Sequence, residues 1–278
     1  MEAIADFHLV RPESLAGVLE ARKAHPDSQL LGGGTDLLVN VRRGIAAPSM
    51  LIDMTGVAEL RAIKADTDSL EVGASVTLAE LAEHASVLAH YQSVAQAAGS
   101  IAGPTHRNMG TVGGNLCLDT RCIFYNQSQW WRQANNHCLK TTGSICHVAP
   151  KSRGVCFATF SGDLAPALMT LGGEVDLIGP KGRRSLALAD LYIGVARHDA
   201  QAGSGDGKNY LALRPGEIVV GVRVRNTKGL RSAYDKIRIR RSIEYPVAGV
   251  AVALRREADS LADLRVAVTG THPRPVLL

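Results

Sequence analysis

GTVGGNLCLDTRC, residues 110–122, sets three glycines within five positions and follows them with two cysteines. A backbone that bare can approach a large anion, because no Cβ stands in the way. The thiols suggest a second ligand close by. A companion stretch lies upstream. SQLLGGGTDLLVNVRRG, residues 28–44, reads as a short apolar strand, a Gly-Gly-Gly-Thr turn and an apolar segment ending at Gly44. Either turn can present backbone N–H groups to an anion as a nest. One such turn alone reads as a tight turn without a ligand. Two of them, each carrying Thr with Asp or Asn, point to a shared diphosphate. Thr35, Thr111 and Asn115 can donate side-chain hydrogen bonds to its oxygens. Neither turn is a G-x-G-x-x-G opening a helix or a P-loop, so both of those nucleotide fingerprints are absent.

Around these turns the chain alternates hairpins and helices. Leu15, Val18, Leu19 and Ala21 carry a helical period that stops at Pro26. Residues 60–74 read as a hairpin turned at Asp66–Asp68, and Thr77 with Glu80 forms a capping box. An Ala-rich helix ends before Pro104. After it come a helix near Leu164 and two strands joined across Gly179–Gly182. GEIVVGVRVR, residues 216–225, alternates with Ile218, Val220, Val222 and Val224 on one side, as a half-buried strand should. The mixture argues α+β rather than a regular βαβ array, with residues from about 180 onward forming a separate α+β unit.

The 278 residues carry a formal net charge of +5, with 46% hydrophobic and 21% charged residues. That is ordinary for a globular protein, and no apolar run approaches a membrane span. The N-terminus lacks a basic segment followed by an apolar core, so no signal peptide and a cytoplasmic location are expected. Basic residues cluster at Arg42–Arg43, Lys181–Arg184 and Arg238–Arg241, but only 4% are aromatic. With no basic stripe and no recognition motif, nucleic-acid binding is not expected. No nucleophilic triad or H-E-x-x-H points to hydrolysis.

Between Cys122 and Cys156 the periodicity breaks. This stretch holds four of the five cysteines and both tryptophans, which argues for a small ligand-stapled subdomain rather than disorder. The gaps do not fit paired zinc spacing, and a disulfide framework does not suit a cytoplasmic chain. An iron–sulfur cluster shielded by the tryptophans, zinc, and unliganded thiols all remain open. Cys117, on the glycine turn, reads as a small buried side chain. His147 reads as a loop histidine bonded to a backbone carbonyl.

These residues resemble the FAD-binding subunits of the xanthine dehydrogenase, or molybdenum hydroxylase, family. LLGGGTDLLVNVRRG is similar to the family's first FAD loop and RNMGTVGGNLCLD to its second. The resemblance implies FAD contacts at Leu31, Gly32, Gly33, Gly34, Thr35, Asp36 and Leu37 in the first loop. In the second it implies Thr111, Val112, Gly113, Gly114 and Asn115. It adds Ile101, Asp163 near the ribose, Val219 beside the isoalloxazine, and Lys236 in AYDKIRIRRS. The cysteine insertion at about 122–156 resembles the flavoprotein subunit of the 4-hydroxybenzoyl-CoA reductase type. That likeness implies a 4Fe–4S cluster on Cys122, Cys138, Cys146 and Cys156.

The resemblance also implies a vanillyl-alcohol-oxidase-like fold. It would comprise FAD-binding subdomains at 1–56 and 57–178 and a C-terminal α+β domain at 179–278 covering the flavin. The family's last helices and strand would lie beyond Leu278, so that domain is expected to be trimmed or shorter. The implied function is electron transfer between a ferredoxin-like donor and partner subunits carrying 2Fe–2S clusters and molybdenum, in a hetero-oligomer (a dimer of heterotrimers). The implied reaction is reductive dehydroxylation of 4-hydroxybenzoyl-CoA. Alternatives are the FAD subunit of another molybdenum hydroxylase acting on aromatics or purines, a flavin oxidase using Tyr234 or Tyr245, and a zinc-stapled module without flavin. The cysteine segment reads as separable from the flavin clamp, so loss of Cys138 is expected to leave FAD bound.

Overall fold

The structure, a computed structural model, describes residues 6–193, 206–240 and 242–278; Arg241 of the third basic cluster lies outside them. Three sheets form the frame. The first is parallel, with β1 (His8–Val10), β2 (Gln29–Leu31) and β3 (Met50–Asp53) in the order β1-β3-β2. Its crossovers are the helices Leu15–Ala24 and Leu37–Arg42. The first of these starts on Ser14, whose Oγ accepts from the Gly17 amide at 3.2 Å. So a short βαβαβ unit opens the chain, where the sequence suggested only mixed hairpins and helices.

The second sheet is antiparallel and five-stranded. Its strands are β4 (Ile63–Ala65), β5 (Ser69–Gly73), β6 (Glu174–Gly179), β7 (Gly182–Ala187) and β8 (Ile218–Arg225), in the order β4-β5-β8-β6-β7. The expected boundary at 178/179 falls inside the β6–β7 hairpin, and the sheet takes strands from both sides of it. The third sheet, also antiparallel, has β9 (Arg231–Ile237), β10 (Ala248–Glu257), β11 (Ser260–Thr269) and β12 (Val276–Leu277) in the order β12-β11-β10-β9.

Strand β8 corrects the alternation expected of it. Ile218 through Val222 are all buried, because β8 is central in its sheet. The register against β6 shifts there: Asp176 faces Gly221 while Leu177 faces Val219, leaving Val220 as an inserted residue. Such a bulge reverses which face each side chain takes. Ile218 and Val220 therefore enter a small cluster with Leu15, Val18, Ile52 and Leu60, while Val219, Val222 and Val224 enter the main core. One strand walls both cores.

The main core centres on the helix Leu164–Thr170, all of whose residues are buried. Ala251, Ala253 and Ala267 line the third sheet beneath it and let the helix sit close. The helix Leu78–Glu83 begins at Thr77 with the expected capping box, Thr77 Oγ1 accepting from the Glu80 amide at 3.2 Å and Glu80 accepting from the Thr77 amide at 2.8 Å. In the basic clusters Arg184 grips Glu217 through two bonds of 2.7 Å and Arg240 pairs with Glu244. Arg223 pairs with Glu174 and Asp176. Among the described residues no helix is long and apolar enough to cross a membrane.

Candidate functional site

The two glycine turns meet. Leu31 ends β2 in the core, Gly32 to Thr35 turn, and Asp36 and Leu37 open the helix Leu37–Arg42. Gly34 sits at φ 72°, a left-handed conformation that favours glycine. At Gly33 the reason is proximity: a Cβ there would lie 1.6 Å from the Met109 carbonyl oxygen. The first turn therefore packs its backbone onto the second. Among the described residues the amides of Gly33, Gly34 and Thr35 find no acceptor.

The second turn spends more of its amides inside the protein. Val112 donates to Val76, Gly113 to Ala74 at 2.8 Å, and Gly114 to the Thr111 hydroxyl. Thr111 caps the helix Val112–Leu116 and is buried. Asn115 is buried too, and its Oδ1 accepts from the Leu164 amide at 3.2 Å, tying this turn to the next element of the site.

That element is a buried ion pair. Asp163 precedes the helix Leu164–Thr170, and Lys236 projects inward from β9; their side chains are 4% and 1% exposed, with Nζ 2.9 Å from Oδ1. Tyr234, two residues along the same strand face, donates its hydroxyl to Asp163 at 2.6 Å. Burial pushes the Asp163 carboxyl up from its ordinary value, against the pull of Lys236 and Tyr234. Beyond Asp163 the Lys236 ammonium meets no other acceptor among the described residues, so it keeps donors to spare in a buried position. A buried cation with unused donors suits an anionic or carbonyl-bearing ligand. Ile101, half-buried, and Val219 both pack on the main core.

A second charged network binds the first turn to the cysteine segment. Arg121 Nη2 donates to Asp36 Oδ2 at 2.5 Å and Nη1 to Asn40 Oδ1 at 2.9 Å, with the guanidinium buried. Tyr245 donates to the other Asp36 oxygen at 3.2 Å, and beside that carboxylate its hydroxyl is held above its ordinary range, chiefly by burial. Sequence reading found Asp36 but not Arg121, whose only sequence signal is its place beside Cys122. Nor did it find that Tyr234 and Tyr245 both hold carboxylates of the expected site.

The four expected cysteine ligands come together. Cys122, Cys138, Cys146 and Cys156 line one small cavity with Phe124, Leu139, Lys140, His147 and Val148, of about 10 Å³. No group of three or more His, Cys, Asp or Glu among the described residues is arranged to hold a metal ion. The structure shows four free thiols around one cavity. His147 is the loop histidine the sequence suggested, its ring bonded through Nε2 to the His137 carbonyl at 2.7 Å. The tryptophans shield less than expected: Trp131 packs near Phe124, but Trp130 is 70% exposed. Lys140 is buried beside the cavity and donates to Asp119, Thr120 and Gly207 at 2.6–2.8 Å. Cys117 lies apart from the four, and burial pushes its thiol up to about 12.

Residues 5–225 match the family model described as the FAD binding domain in molybdopterin dehydrogenase. The aldehyde oxidoreductase FAD-binding subunit PaoB of Escherichia coli K12 is 31% identical over 257 residues, covering 90% of this chain and 76% of that protein. The nicotinate dehydrogenase FAD-subunit of Eubacterium barkeri is 25% identical over 276 residues, 96% of this chain and 76% of its own. Among solved structures, a chain of the cyanide-inactivated Cu,Mo-CO dehydrogenase superposes with a TM-score of 0.74 at 22% identity, over 99% of this chain and 79% of that one. That likeness concerns the fold.

Proposed function

This chain belongs to the family of FAD-binding domains of molybdopterin dehydrogenases, and from that premise we propose that it relays electrons as the flavin subunit of a molybdenum-containing complex. The observation that carries the reading is the crossed pair of glycine turns, with three amides of the first turn unpartnered among the described residues and a buried lysine with unused donors linked to the second turn through Asp163 and the Leu164–Asn115 bond. Gly33, Gly34 and Thr35 would hold the diphosphate, with the Thr111 hydroxyl and Asn115 amide on its other side. Lys236 and Asp163 would meet the ribose or flavin polar edge, beneath a wall that includes Val219 and Ile101. When bound, FAD supplies the exchange between two-electron and one-electron chemistry. The chain's own work is to hold it, neutralise it and keep water from its buried edge.

We further propose that the four thiols, which share one cavity, would ligate a 4Fe–4S cluster, a group that takes four cysteines without a fixed spacing. Such a cluster would extend the relay from the flavin to a ferredoxin-like partner. The surrounding surface supports that: no acidic residue occurs between Asp119 and Asp163, while Lys151, Arg153, Ile123 and Trp130 are exposed. Partner subunits carrying 2Fe–2S clusters and the molybdenum cofactor complete the complex, which we take to be a dimer of heterotrimers with a vanillyl-alcohol-oxidase-like flavin subunit. The names of the relatives, an aldehyde oxidoreductase and a nicotinate dehydrogenase, support substrate oxidation, with aldehydes the first class to try. The cysteine segment is the observation that favours the second reading, reductive dehydroxylation of 4-hydroxybenzoyl-CoA.

The test is iron, acid-labile sulfide and FAD content of anaerobically purified protein, with a spectrum after dithionite. About four irons, four sulfides and one FAD per chain are expected. FAD without iron, after anaerobic reconstitution, would remove the cluster and leave a simple flavin subunit. Direction of turnover with aldehydes against acyl-CoA thioesters then separates the two substrate readings.

A further inference from the structure

Resting on the flavin reading, we infer that Arg121 and Arg132 are positioning residues for the first FAD turn, so that FAD affinity depends on the cysteine segment. Both arginines belong to that segment or its base, and both are buried. They hold the two ends of the helix Leu37–Arg42, which continues directly from Gly33, Gly34 and Thr35, whose amides find no acceptor among the described residues. At its N-terminal end Arg121 holds Asp36 and Asn40. At its C-terminal end Arg132 Nη2 donates to the carbonyls of Gly44 at 2.9 Å and Arg43 at 3.2 Å, while Nη1 holds the Gln127 carbonyl of its own segment. Arg43 reaches back to Asn126 at 2.6 Å.

This arrangement has an electrostatic effect and a geometric one. Asp36 ends the turn that would receive a diphosphate, and a free carboxylate there would repel it. Its side chain does not cap the helix; it is committed to Arg121, and the pair presents no net charge to the ligand. The geometric effect concerns aim. The helix position sets where the three amides point, and Arg132 pins its far end. Arg132 sits on the short helix Gln129–Ala134, between Cys122 and Cys138, so anchoring those two thiols would anchor it as well. Arg121 is itself fixed by reciprocal backbone bonds of 2.8 Å with Thr159, beyond Cys156. The segment and the clamp, expected from sequence to be separable, share a buried hydrogen-bond network, and on this inference FAD binding senses the segment.

The experiment titrates FAD into flavin-free protein, following flavin fluorescence, with iron measured on every sample. Arg121→Met and Arg132→Met are expected to weaken FAD about 5- to 150-fold, the usual range of coupling between sites. Adding Asp36→Asn to Arg121→Met should recover most of its loss, because the unpaired carboxylate is gone. A merely structural arginine would show the rescue in melting temperature alone, with the FAD affinity of the folded fraction the same in every variant. Should a variant fold poorly, the reciprocal measurement uses wild-type protein: FAD should slow hydrogen exchange across 122–156 as well as 32–44. Single variants within about twofold of wild type, a double variant no better than Arg121→Met, or exchange in 122–156 untouched by FAD would each overturn the inference. Wild-type protein that binds no FAD at all would instead sink the flavin reading beneath it.

Discussion

Lys236→Met tests the buried pair at the heart of the site. The substitution keeps the aliphatic stem and removes the ammonium that lies 2.9 Å from Asp163, with both side chains almost fully buried. Solvent cannot replace it. The Tyr234 hydroxyl still donates to the carboxylate at 2.6 Å, and Arg238 supplies a weaker attraction. Breaking a buried pair from one side costs about 3–5 kcal/mol, which corresponds to roughly a 10 °C fall in the melting temperature of flavin-free protein at this size.

The pH dependence carries the sign. Burial raises the Asp163 carboxyl above its unfolded value, so its stability contribution is fully present below that unfolded value and is lost as pH rises through the folded one. Removing Lys236 takes away a lowering influence, so the folded value climbs further and the losing window extends upward. Relative to wild type, the variant should therefore lose stability by up to about 1.4 kcal/mol per pH unit across that window. Thermal unfolding at acid and neutral pH, in single and double variants, is the assay. Asp163→Asn in the Lys236→Met background should return much of the loss and flatten the pH profile. A penalty equal at both pH values, or equal with Asn at 163, would refute an electrostatic origin.

The other expectations are simpler. Gly33→Ala should force the crossed turns apart, because its Cβ would overlap the Met109 carbonyl; purified protein should carry little FAD and lose about 1–3 kcal/mol of stability. Lys140→Met should leave Asp119 without its cation and loosen the cysteine segment by about 2 kcal/mol, seen as faster limited proteolysis within 120–156. Cys117, with its thiol pushed up to about 12, should resist iodoacetamide at pH 8 in native protein and react only on unfolding, as mass spectrometry of tryptic peptides will show.

Much of this fold was legible because it is written locally. The helix carried by Leu15, Val18, Leu19 and Ala21, the capping box of Thr77 and Glu80, the hairpins at 60–74 and 174–187 and the two glycine turns each depend on residues a few positions apart. The cysteine segment showed itself by its lost periodicity, and His147 behaved as a loop histidine should. What failed to show was whatever depends on partners far along the chain. The bulge at Val220 depends on β6 supplying the facing strand, so the clean alternation of β8 pointed to one buried face where there are two.

The same division runs through the site. Glycine placement and cysteine count are chemical facts of the chain, so the residues alone told where the backbone must be bare and which thiols are available. It took the folded molecule to reveal that Gly33 is bare to admit Met109, that Asp163 meets Tyr234 across 71 residues, and that Asp36 meets Arg121 across 85. Those pairings have no period to betray them. They exist because burial in a shared core makes an unpaired charge too costly to leave alone.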